Sequence, residues 1–416
     1  MKPTMSSLLT SFLCTVALAF VTSAGAGEQM AFKFNFGGPT APGVISISST
    51  NIYSDAIGYG FEPGGHVLSA DGGITGTNAF YFSIRLPEGN YRVTVTLGSA
   101  DSPSATTLKA ELRRLMLYHV QTGPGRFATR SFIVNVRTPE IAGDGEVRLK
   151  PREKTSEWWD WDDKLTLEFN DTRPCVRSLT IARVDVPTVF ILGDSTVCDQ
   201  PAGPWNSWGQ MLPVFFKPDI AVANHAESGE TIADSLARNR FAKVFSLMKP
   251  GDYLFIQFAH NDMKNKSPNA LGQYKGDYKK VIAETRAKGG TPVLVTSMER
   301  KAGVKHPTLE GYPEAVRQVA KEEDCPLIDL NRMSVVFYRA LGANLDKAFV
   351  DGTHHDNYGS YELAQCIVEG IQQDRLPLAK HIVDDFKGFD PAHPDPVAAF
   401  YMPVSPKYSM VEPLGN

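Results

Sequence analysis

The hydrophobic rhythm of this chain changes once, near residue 187, and that change limits the fold more than any other feature. From Phe32 to Val186, apolar and polar residues alternate with a period of two. FKFNFG, FYFSIRL, YRVTVTLG, RSFIVNV, EVRLK, KLTLEF and SLTIARV all read this way. Alternation of that kind sets one face of a strand in a core and the other in water. Gly, Pro, Asn and Asp punctuate the gaps, as in PEGN at 87–90 and AGDGE at 142–146. Seven or more short strands between such turns predict a β-sandwich. TLKAELRRLMLYHV at 107–120 has a helical composition, but its place among strands favours a strand.

From Thr188 the apolar runs become continuous: VFIL, DIAVAN at 219–224, DYLFIQFA at 252–259, TPVLVTS at 291–297 and PLIDL at 326–330. Amphipathic stretches separate them. In QYKGDYKKVIAETRAKG, for example, Tyr274, Tyr278, Ile282 and Thr285 fall on one helical face. Continuous strands alternating with such helices predict a parallel sheet covered on both faces, an α/β module. Pro187 in VDVPT would interrupt either kind of element and marks the join. The expected plan is an all-β sandwich at 30–186, an α/β module at 188–380 and a C-terminal extension at 381–416. A chain of 416 residues, 42% hydrophobic, is long enough for two cores.

Lys2, the apolar run Leu8–Val21 and the small residues Ala24-Gly25-Ala26 read as a signal peptide over 1–26, cleaved near Ala26. The run is shorter than the roughly 20 residues a membrane span needs. A secreted or periplasmic protein is therefore expected, with no membrane association after cleavage. Net charge is −4, from 42 basic and 46 acidic residues without a basic block, which argues against a nucleic-acid partner. Beyond Cys14 lie Cys175, Cys198, Cys325 and Cys366. Their spacing fits no zinc pattern, and no metal or cofactor is expected. Disulfides and buried free thiols both suit them, and no pairing is assigned.

In a parallel sheet, functional residues gather on loops at the carboxyl ends of the strands. The first strand runs into Gly193-Asp194-Ser195, the second into HAESGE with Gly229, and the third into HND with Asn261. DGTHHDNYG at 351–359 precedes the last helix. Asp351 and His354, three residues apart, can place a carboxylate on the imidazole Nδ1 and leave Nε2 facing a serine. Gly229 N–H, the Asn261 amide and the Ser195 N–H could serve as oxyanion donors. Taken singly, each motif is an ordinary turn or helix cap; four in this order, after successive strands, point to acyl transfer.

These blocks resemble the SGNH, or GDSL-like, hydrolase superfamily, and within it the rhamnogalacturonan acetylesterase branch, carbohydrate esterase family 12. The resemblance rests on GDSTVCD, FIQFAHNDMK and DGTHHDNYGSYELA and covers about 190–380. It implies a flavodoxin-like three-layer fold, with Ser195 as nucleophile, His354 as base, Asp351 as its orienting partner, and Gly229 and Asn261 in the oxyanion hole. It further implies release of O-acetyl groups from a plant cell-wall polysaccharide such as pectin. Acetylxylan, a lipid ester, or glycan binding without catalysis are the alternatives. Where the superfamily's third block usually begins with glycine, this chain has Ala259. His355 stands as a candidate substrate contact. The absence of a Gly-x-Ser-x-Gly elbow suggests an open, shallow site. The front sandwich resembles galactose-binding-type modules, in which Trp158, Trp159 and Trp161 could stack on sugar rings or, alternatively, fill a core or a domain interface.

Overall fold

The alternating strands of the first half close into two sheets, and the continuous strands of the second half form a third. The computed structural model describes residues 31–38, 41–70, 72–143, 145–407 and 409–414. The expected signal peptide over 1–26 lies outside the described residues. One sandwich sheet is ordered Ala128–Val136, Gly89–Leu97, Cys175–Arg183, Ala31–Phe36, Ile45–Ile47; Gly73–Gly76 also pairs with Cys175–Arg183, and Val67–Ala70 pairs with Gly73–Gly76. The other is ordered Tyr59–Phe61, Phe80–Arg85, Lys164–Asn170, Ser104–Ala110, Arg114–Thr122. Inward residues of the two sheets, among them Phe34, Phe82, Val93, Leu167 and Ile181, make one apolar core.

Two segments depart from the sequence reading. TLKAELRRLMLYHV is two strands, because Glu111 and Arg113 take positive φ, 53° and 67°, and turn the chain between Ala110 and Arg114. EVRLK at 146–150 forms no strand. Val147 N–H donates to Pro139 O at 2.8 Å, and two other backbone groups of the segment bond to the other module, Arg148 N–H donating to Arg238 O at 3.0 Å and Glu146 O accepting from Asn239 Nδ2 at 3.1 Å.

The third sheet is parallel and five-stranded: Thr188–Gly193, Ala221–Asn224, Tyr253–Gln257, Thr291–Val295 and Leu327–Ile328. In space the second strand lies outside the first, giving the order 2-1-3-4-5. That is the flavodoxin-like order, with its switch point between the first and third strands. Both loops that leave this point carry predicted site residues, Ser195 after the first strand and Asn261 after the third. Helix Ala270–Ala287 covers one face and buries Tyr274, Tyr278, Ile282 and Thr285 as its pattern requires. Helix Asn357–Gln373 covers the other. Among the described residues, no helix is long and apolar enough to cross a membrane.

The two modules share buried chemistry. Leu115 of the sandwich belongs to the same apolar core as Val189, Trp208 and Leu363. Arg114 bridges Asp160 at 2.7 Å and, across the join, Asp199 at 2.5 Å. The segment after the last helix ties both modules together. Lys217 N–H donates to His381 O at 2.7 Å, and Asn170 Nδ2 and Lys109 Nζ donate to Val404 O and Pro403 O at 2.9 and 3.0 Å. Cys175, Cys198, Cys325 and Cys366 are buried and free.

Candidate active site

Ser195 sits where the first parallel strand ends. Asp194 shapes the turn: its Oδ1 accepts from Thr196 N–H and Oγ1, and its carbonyl accepts from Val197 and Cys198 N–H, both at 3.0 Å. A trans peptide holds its C=O and N–H on opposite sides. The Asp194 carbonyl faces the turn, so the Ser195 N–H on the same peptide faces away from it. Burial pushes the Asp194 carboxyl up, but the charge and hydrogen bond of His260, 3.3 Å away, and the bonds from Thr196 outweigh that and hold it below the usual range.

His354 Nε2 lies 2.9 Å from Ser195 Oγ, and His354 Nδ1 lies 2.8 Å from Asp351 Oδ2. Asp351 Oδ1 accepts from the N–H groups of Thr353 and His354, each at 2.6 Å. Burial raises the Asp351 carboxyl, but His354 and these two N–H groups prevail and hold it far below its ordinary range. The tight turn is thus built around an anionic carboxylate. Capping of the following helix falls to a different residue, Asp356, whose Oδ1 accepts from Gly359 N–H at 2.9 Å. Asp351 is left to orient the imidazole.

Gly229 has φ +74°, a left-handed conformation that glycine adopts without strain. Among the described residues, no hydrogen bond engages the N–H of Ser195 or of Gly229. Asn261 Nδ2 donates to Glu230 O at 3.1 Å, and Asn261 Oδ1 accepts from Lys264 Nζ at 3.2 Å. Those bonds fix which end of the amide carries its hydrogens and leave the second Nδ2 hydrogen for another acceptor. Gln200 ties the first two loops together by donating to Ser195 O at 2.7 Å and Ser228 Oγ at 3.4 Å. Arg300 joins the last loop to the third through Thr353 Oγ1 and His260 O. The four loops therefore form one polar network.

Several expectations need correction. Ser195 and His354 are each about 1% exposed, so the nucleophile does not lie in an open, shallow site. Trp205, edge-on to His354 with centroids 5.7 Å apart, helps enclose them. His355 is buried between Tyr338 and Phe349, with its Nε2 2.8 Å from Tyr338 Oη. Burial, aided by the charges of His354 and His260, pushes it down to about 3. It is a neutral packing residue rather than a substrate contact. Trp158–Asp160 is a single 3₁₀ turn. Trp161 packs edge-on to His225 of the α/β module with Arg137 over its ring, and Trp159 packs on Tyr81 under Lys407. Both are interior. Trp158 is 39% exposed, with Lys164 Nζ 4.3 Å from the centre of its ring. Ala259 is buried in the apolar core beside Phe258 and is not among the residues with positive φ, so its methyl is accommodated.

With this geometry in place, likeness to known proteins becomes informative. Residues 191–359 match the GDSL-like Lipase/Acylhydrolase family. The rhamnogalacturonan acetylesterase RhgT of Bacillus subtilis strain 168 is 34% identical over 219 residues, 47% of this chain and 94% of that protein. The chain belongs to the GDSL-like acylhydrolase family. An uncharacterized esterase of the same organism, YxiM, is 26% identical over 395 residues, covering 88% of this chain and 97% of its own. The crystal structure of YxiM aligns with 84% of this chain and 99% of its own at 23% identity, with a TM-score of 0.46. As a GDSL-like acylhydrolase the protein is an esterase, and RhgT, to which it is similar, is an acetylesterase.

Asp262, next to Asn261, provides a pH signature of this GDSL-like site. Burial, reinforced by the charge of Asp194 and opposed by the bond from Ile232 N–H, raises it from an ordinary 3.8 to about 8. The native state then holds a proton that the unfolded chain releases, so this contribution to stability is full below pH 3.8 and is lost as pH rises towards 8. The stability of Asp262→Asn relative to wild type should increase from pH 5 to pH 8 and level off above it, as read from urea melts. A difference that does not change with pH would contradict this protonation state.

Proposed function

We propose that the protein is an exported acetylesterase that removes O-acetyl groups from an acetylated plant cell-wall polysaccharide, rhamnogalacturonan of pectin, through an acetyl-serine on Ser195. The observation that carries the reading is the chain Ser195 Oγ, His354 Nε2, His354 Nδ1, Asp351 Oδ2, with contacts of 2.9 and 2.8 Å. His354 takes the Ser195 proton as Oγ attacks the acetyl carbonyl, and Asp351 steadies the imidazolium. The tetrahedral oxyanion is met by the N–H groups of Ser195 and Gly229 and by Asn261 Nδ2. Collapse breaks the bond to the sugar oxygen, which takes the proton from His354. Water, activated by the same imidazole, then releases acetate and restores Ser195.

A nucleophile about 1% exposed, with Trp205 beside its base, suits a small acyl group better than a long one. The pectin assignment draws on the relative named rhamnogalacturonan acetylesterase. Export draws on Lys2 and the apolar run Leu8–Val21. The test is acetate release from acetylated rhamnogalacturonan and acetylated xylan, with nitrophenyl esters of increasing acyl length alongside. Release from the pectic polymer, with activity falling beyond acetate, is expected. Release from xylan alone would transfer the substrate assignment, and inertness towards every acetyl ester would overturn the reading.

A further inference from the structure

The front module reaches one of the catalytic loops. Between strands Ala128–Val136 and Lys164–Asn170 the chain leaves the sandwich as a strap along the α/β module, where Arg148 N–H donates to Arg238 O at 3.0 Å. This strap is fastened by a bidentate pair, Arg240 to Glu153 at 2.9 and 2.7 Å, both residues buried. It also brings Lys150 to the loop that carries Gly229. Lys150 Nζ donates to Ser228 O at 2.5 Å and lies 2.7 Å from Glu230 Oε1. Ser228 and Glu230 are fully buried.

Ser228 O and Gly229 N–H belong to one peptide unit. Because that unit is planar and trans, a lysine that draws the carbonyl one way aims the N–H the other way. A cation on the carbonyl also polarises the amide and strengthens its N–H as a donor. The second tie, to the Glu230 side chain, acts on Asn261, whose amide is oriented by Glu230 O at 3.1 Å. Arg238 and Arg240 face the same carboxylate at 3.3 and 3.7 Å, and Ser235 Oγ donates to its other oxygen at 3.0 Å, so the glutamate is a fixed anchor. One ammonium thus secures both ends of Ser228-Gly229-Glu230.

We propose that Lys150 of the front module is a positioning residue for the oxyanion hole, aiming the Gly229 N–H and, through Glu230, the Asn261 amide. The front module on this view completes the hydrolase site. The inference rests on Gly229 and Asn261 being the oxyanion donors. Loss of one such donor costs about 10²–10³-fold in kcat, and a misaimed donor less.

The full-length protein is compared as wild type, Lys150→Met, Lys150→Arg, Asn261→Ala and the double variant Lys150→Met/Asn261→Ala, with rates on an acetyl ester referred to titrated active sites. Lys150→Met should lose about 10- to 100-fold in kcat with KM almost unchanged, since the donors act on the transition state. Lys150→Arg should restore most of the loss, and the double variant should fall short of the product of the single losses, because the two act through one loop. Should the methionine variant fail to fold, Lys150→Gln, which keeps a donor for Ser228 O but no charge, takes its place with a smaller loss of kcat. Normal kcat in the Lys150 variant beside a loss in Asn261→Ala would overturn this inference alone. Normal kcat in Asn261→Ala would overturn the oxyanion assignment beneath it.

Discussion

Ser195→Ala should fold as wild type does and lose roughly 10⁴-fold or more of kcat on any acetyl ester. The substitution removes one oxygen, and the architecture does not lean on it. Asp194 shapes the turn through its own carboxylate and carbonyl, and Gln200 holds the Ser195 carbonyl rather than the side chain. The only hydrogen bond found for Ser195 Oγ among the described residues is the one to His354. Melting temperature should therefore move little while turnover vanishes, apart from the residue of rate that the oxyanion donors alone sustain. A folded variant with near-normal turnover would remove Ser195 from the mechanism.

The second large effect is expected of Asp351→Asn, about 10⁴-fold in kcat. Asparagine fills the same space, and its carbonyl can still accept from Thr353 and His354 N–H, so the turn survives. What changes is the partner of His354 Nδ1. An amide donor there forces the imidazole proton onto Nε2, where it faces Ser195 and cannot accept the hydroxyl proton. A control comes from stability. The carboxyl is depressed in the native state, so its contribution is present above the ordinary aspartate value and fades as pH falls below it. Wild type should exceed Asp351→Asn in stability at pH 7 and converge on it in acid. A variant with unchanged kcat would show that His354 needs no carboxylate.

Much of this site could be seen in the sequence because loops at the ends of parallel strands must converge. Once VFIL, DYLFIQFA and their neighbours were recognised as buried strands, Ser195, Gly229, Asn261, Asp351 and His354 were placed near one another by topology. Spacing alone paired Asp351 with His354, and the following helix takes its cap from a different residue, Asp356. What could not be read is what long-range packing decides. Lys150 and Trp205 stand in no motif; they matter because a strap and a loop from elsewhere end beside the site. His355 looked polar and available, yet a ring between Tyr338 and Phe349 is chosen by shape. Trp159 and Trp161 offered no periodic signal separating sugar platform from interface, since the segment lies in a 3₁₀ turn between two modules. The turn inside TLKAELRRLMLYHV was hidden because Glu111 and Arg113 take a conformation usually left to glycine.

The central claim is an acetyl-serine at Ser195, and it can be observed directly. Wild type mixed with an activated acetyl ester, quenched in acid and digested, should yield a peptide containing Ser195 heavier by one acetyl group. The adduct should be absent from Ser195→Ala. Turnover by wild type with no acetylated Ser195 at any quench time, or the same adduct on another residue in the alanine variant at full rate, would contradict the account.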